Sequence, residues 1–106
     1  MYIMEYIDAH CHLNAAEFVD DLDDVITRAK QCGVRACVVV TEFVSDFERT
    51  LGLAELYSGF IHPCLGLHPI QEGSRCVTAD DFEQALPLIE KHKDRIVAIG
   101  EVFEYS

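Results

Sequence analysis

Four short apolar runs alternate along this chain with three stretches of helical spacing, and few architectures accommodate that alternation. Residues 3–7 are apolar and β-prone and lead into Asp8, after which Phe18, Leu22, Val25, Ile26 and Ala29 recur at the helical period. Gly33 follows as a helix stop. Val34, Ala36, Cys37, Val38, Val39 and Val40 then form a near-continuous apolar run, suited to a strand covered on both faces. Phe43, Phe47, Leu51, Ala54 and Tyr57 repeat the helical spacing up to Gly59, and residues 60–67 return to a strand-like run. Thr78 and Asp81 have the spacing of a weak capping box ahead of Phe82, Leu86 and Ile89, the apolar face of a third helix in which Pro87 introduces a kink. Residues 95–99, ending in Gly100 and Glu101, complete a β-α-β-α-β-α-β order, which implies a parallel sheet with right-handed crossovers. Residues 68–78, with Pro69, Gly73 and Ser74, make the longest loop.

At 106 residues the chain has room for one domain, and an apolar content of 50% supplies its core. Nineteen acidic against eight basic side chains give a net charge of −11, which disfavours a basic phosphate-binding face or attraction to an anionic membrane. A polyanionic substrate would need a cation as mediator. No apolar run is long enough to span a bilayer, and residues 1–7 lack the basic flank of a signal peptide, so the expected location is cytoplasmic or nuclear, with no membrane partner. The five cysteines are odd in number and form no CxxC pair, which reads as reduced thiols.

In a strand alternate side chains share a face, so Asp8, His10 and His12 are expected to project together from the end of the first strand. Two imidazoles and a carboxylate suit zinc or another divalent transition metal, with Asp8 as a ligand or as the group that orients a histidine. The same residues also fit a pair of histidines on an exposed strand end. In parallel α/β folds functional groups gather at the carboxyl ends of strands, where His10 and His12, His68 and Glu101 would meet. Glu101 there would bridge two metals or hold an attacking water, or be a solvated strand end. His68, set between Leu67 and Pro69, would face the same mouth or be a plain loop histidine. Glu42 reads as a helix N-terminal charge, and His92 as a cation at a helix C-terminus. His62, early in the third strand, is not expected to be a ligand. Cys11 alternates with the histidines and reads as a buried thiol, and Asp20, Asp21, Asp23 and Asp24 as a solvated helix start.

Asp8-Ala9-His10-Cys11-His12-Leu13, Gly66-Leu67-His68-Pro69 and Gly100-Glu101-Val102 together resemble the TatD-type family of metal-dependent hydrolases, and the wider run up to Val102 is most similar to an animal branch of it. The resemblance implies parallel βαβ units, about four strands and three helices, forming the first half of a TIM-type (β/α)8 barrel. It also implies a site for two divalent ions, of zinc, magnesium or manganese, that hydrolyses phosphodiester bonds in DNA. His10 and His12 would hold one metal, Glu101 would bridge both and act in catalysis, and Asp8 and His68 would stand behind the ligands or at the substrate mouth. Where the family continues its Gly-Glu motif with a glycine, an apolar residue and an aspartate, this chain reads Phe103-Glu104-Tyr105-Ser106. Residues 1–106 are therefore expected to form a single partial domain with a divergent tail over 103–106. Two later histidines and an aspartate of the family's metal site are not among them. The expectation is a catalytically incomplete hydrolase segment, or else a non-catalytic isoform acting as a binding or dominant-negative partner, with self-association through open sheet edges.

Overall fold

The computed structural model describes residues 4–100. Strands β1 (Tyr6–Cys11), β2 (Val34–Val40), β3 (Ile61–Leu65) and β4 (Ala98–Ile99) form one sheet in the order β1-β2-β3-β4, and every neighbouring pair is parallel. Helices α1 (Leu22–Gln31), α2 (Phe47–Leu56) and α3 (Ala79–Lys91) are the crossovers. The alternation read from the sequence is therefore the architecture. The strand ends differ: β1 lies later than residues 3–7 because Cys11 still finds Val39 of β2 as a partner. β4 is shorter than residues 95–99 because Lys93–Arg95 form a 3-10 turn, and pairing begins only after Val97 donates its N–H to the Pro63 carbonyl at 2.9 Å.

Side chains decide between a barrel segment and a doubly wound sheet. Leu22 and Ile26 of α1 and Leu53 of α2 are buried with Cys37, Val39, Phe60 and Ile61, while Phe47 and Leu51 of α2 and Phe82, Ala85 and Ile89 of α3 close on Leu65 and Leu67. Cys37 and Val39, and likewise Ile61 and Leu65, occupy same-parity positions, so both clusters lie on one face of the sheet. A doubly wound sheet would put helices on both faces and reverse its strand order at a switch point. Sequential order with all crossovers on one side is the first half of a (β/α)8 barrel. Each fully buried aliphatic or aromatic side chain contributes about 1.5–3 kcal/mol to that packing.

Two expectations about α3 separate here. The capping box forms: Thr78 accepts the Asp81 N–H at 3.4 Å and gives its own N–H to the Asp81 carboxylate at 2.7 Å. Leu86, however, is exposed, because the buried stripe runs through Phe82, Ala85 and Ile89 instead. The long loop is ordered by backbone bonds from Gln71 N–H to Arg75 O (2.7 Å) and Val77 N–H to Pro69 O (2.8 Å), around left-handed turn residues Gly73 and Ser74. Among the described residues no helix is long and apolar enough to cross a membrane.

Candidate metal centre

His10 lies one residue before the end of β1, and His12 lies one residue beyond the strand. Their rings stand edge to face with centroids 5.2 Å apart, His10 exposed and His12 half-buried. Simple alternation would put Asp8 beside them, but the β1–β2 register slips between Asp8 and Cys11 and breaks it. Asp8 instead takes the His10 backbone N–H on its carboxylate at 3.0 Å, bracing the slip from below the histidines. Cys11 packs against the buried cluster that contains Cys37, on the helix side, as its alternation predicts. Cys37 donates its thiol proton to Cys11, which holds Cys11 below the ordinary thiol range, and giving up that donor together with burial pushes Cys37 well above it. Cys11 is thus engaged with the core.

Three buried polar side chains set the strand ends around the histidines. Thr41, fully buried after β2, donates to the Gly66 carbonyl (2.7 Å) and accepts the Gly66 N–H (2.8 Å), pinning the end of β3. Asn14 gives its amide to the Val40 carbonyl (3.0 Å) and to Thr50 (2.8 Å), tying the segment after His12 to β2 and α2. Gln71 gives its amide to the carbonyls of Glu42 (3.0 Å) and His68 (2.9 Å), while the His68 N–H also reaches Glu42 at 2.8 Å. None of the three was marked out by the sequence, because a single polar residue after an apolar run carries no sign of burial. Glu42, read as a helix N-terminal charge, lines with His12, Asn14, Asp46 and Glu72 a groove of about 280 Å3. Asp46 accepts the N–H groups of Glu42 and Phe43 there, each at 3.1 Å.

His68 stands two residues past the Thr41–Gly66 lock. Its Nδ1 lies 2.9 Å from the Ile70 N–H, which donates to it, and 3.2 Å from the Ile70 carbonyl. While the Ile70 N–H donates to it, Nδ1 acts as an acceptor, and Nε2 is then the ring nitrogen that carries a proton. Glu101 lies outside the described residues, as do residues 103–106. Gly100 just before it crosses so close to Gly66 that a Cβ on Gly66 would stand 2.0 Å from the Gly100 carbonyl oxygen. His92 caps α3 and contacts Arg95, and His62 lines a separate groove with Glu55 and Arg95 at the opposite, amino end of β3. Among the described residues no three His, Cys, Asp or Glu side chains cluster closely enough to hold a metal by themselves. The paired imidazoles have the donor chemistry of part of a divalent-metal site.

Residues 7–102 match the profile of the TatD related DNase family, over nearly the whole chain. The chain belongs to that family. It is 51% identical over 100 residues to deoxyribonuclease TATDN3 of Homo sapiens, covering 91% of this chain and 36% of the relative. It is 35% identical over 97 residues to the uncharacterized metal-dependent hydrolase YabD of Bacillus subtilis, covering 90% of this chain and 35% of that one. The crystal structure of the TatD homolog YJJV of Escherichia coli superposes with a TM-score of 0.77 at 33% identity, over 92% of this chain and 36% of the other. The TatD chain therefore spans about a third of the length of these relatives, and its four strands are those of a TatD barrel's first half.

Proposed function

We propose that this TatD segment supplies the histidine pair His10 and His12 and the Glu101 carboxylate of a divalent-metal centre that hydrolyses phosphodiester bonds in DNA. The observation that carries the reading is the edge-to-face pair of His10 and His12 at the carboxyl end of β1, in a chain of this family. His10 and His12 would hold one ion, and Glu101, which follows Gly100 in the sequence, would bridge it to a second. A bound divalent ion supplies water activation and neutralisation of phosphate charge. Asp8 holds the His10 backbone, Asn14 holds the segment after His12, and the Ile70 N–H orients the His68 ring at the end of β3. With a net charge of −11, a bound cation would offset the repulsion between the chain and a polyanion.

Residues 1–106 alone are catalytically incomplete in this reading, since two-metal catalysis needs both ions fixed about 3.5–4 Å apart. The test is to incubate the purified chain with labelled DNA and manganese or magnesium, beside the Glu101→Ala variant. No metal-dependent cleavage is expected from either. Cleavage that disappears with Glu101→Ala would show that these residues assemble a working centre by themselves.

A second reading, a non-catalytic binding partner of related chains, is favoured by one observation. The edge strands expose Tyr6, Ile7, Val97 and Ile99, with Ile7 at 69%.

A further inference from the structure

We propose that Gln71 is the positioning residue of the mouth: its side-chain amide clasps the end of β2 to the end of β3 and thereby holds the His68 ring with Nδ1 as the acceptor of the Ile70 N–H. The inference rests on His68 serving the proposed centre, and its geometry stands independently of any metal. Gln71 is buried, 8% exposed, although it lies in a loop whose neighbours Ile70 and Glu72 are exposed. Both N–H groups of its amide are spent on carbonyls, Glu42 at 3.0 Å and His68 at 2.9 Å, and the His68 N–H meets the same Glu42 carbonyl at 2.8 Å. Glu42 follows β2 and His68 follows β3, so this clasp lies just beyond the Thr41–Gly66 lock and extends it outward.

The backbone of Gln71 is itself fixed, because its N–H bonds to Arg75 O at 2.7 Å across the loop. Residues 68–71 are thus held at both ends, and in that conformation the Ile70 N–H points at the His68 Nδ1. A ring held in this way keeps its proton on Nε2, where it is a hydrogen-bond donor. Release of the loop would let the proton exchange between the two nitrogens, and part of the ring population would then present an acceptor at Nε2 where a phosphate oxygen requires a donor. A glutamine that merely filled space would need neither N–H.

The test is nuclear magnetic resonance of the full 106-residue chain without metal or DNA, reading the ring nitrogen and carbon shifts of His68 and the exchange of the Ile70 amide. The wild type is expected to show the Nε2–H tautomer and a protected Ile70 amide. Gln71→Met keeps the side-chain length and removes both donors. It is expected to give mixed tautomers at His68 and Ile70 exchange faster by about tenfold, the local opening released by losing two hydrogen bonds. Exposed Gln84→Met, on α3, should change neither. A Gln71→Met chain with wild-type His68 shifts and Ile70 exchange would overturn the proposal. If that variant does not fold, the wild type alone decides: slow exchange of the Gln71 side-chain amide, with couplings across its bonds to the Glu42 and His68 carbonyls, supports the clasp. A freely exchanging amide, or a wild-type His68 protonated on Nδ1, sinks it. Because no readout uses a metal, a failed metal titration would remove the hydrolase reading and leave this result standing.

Discussion

Two glycines show how differently one residue type works in this chain. Gly52 sits in the exposed middle of α2 with nothing within 4 Å of an added Cβ, so it costs the helix backbone entropy and returns no contact. Gly52→Ala should raise stability by about 1 kcal/mol, read as a higher melting temperature. Gly66 has the opposite surroundings, with the Gly100 backbone where its Cβ would be. Gly66→Ala must push β4 away, at a cost of about 1–3 kcal/mol typical of overpacking, and should also shift the Gly100 amide resonance. Thr41→Val would leave the Gly66 N–H and carbonyl without their buried partner, a loss of about 1–3 kcal/mol visible in denaturant unfolding. The proximity of His10 and His12 was readable from their spacing at a strand end. Thr41, Asn14 and Gln71 were not, because their roles arise from carbonyls distant in the chain that no local pattern announces.

Periodicity named every helix and strand of the sheet in order, since the 3.6- and 2-residue repeats report burial directly. It failed where burial depends on which neighbour is present. Leu86 has helical spacing from Phe82 and Ile89, yet Ala85 satisfies the same spacing and takes the buried place. Alternation likewise placed Asp8 with the histidines, and the register slip of β1 against β2 removed it. At the start of α3 the capping box adds an electrostatic consequence. The Arg75 guanidinium, with both its bonds to Asp81 at 2.8 Å, and the Thr78 N–H hold the Asp81 carboxyl well below the usual carboxylate range. A carboxyl depressed in the folded state contributes stability in full above its unfolded value, about 3.9, and loses it as the pH falls toward the folded value. Asp81→Asn should therefore lower the melting temperature at pH 7 and flatten the fall in stability below about pH 4. An acid limb as steep as wild type would show that the ion pair is absent in solution.

Across the whole molecule, the helices cover one face of the sheet and leave β1 and β4 as its edges. In a closed barrel each would have another strand beside it, and here, among the described residues, each has a strand on one side only and exposed apolar side chains. The 106-residue chain is expected to self-associate, with light scattering giving a mass that rises with concentration; a concentration-independent monomer with a cooperative melt would contradict this. The barrel half was readable from element order, and the family from three motifs placed at strand ends. The central claim, that His10 and His12 are the segment's metal donors, is tested most directly by titrating zinc while following all five histidine rings by nuclear magnetic resonance. The rings of His10 and His12 should shift together and weakly, in the manner of an incomplete ligand set, and His10→Ala with His12→Ala should abolish the binding. Binding of unchanged affinity in that double variant, or shifts confined to His62 and His92, would contradict the account.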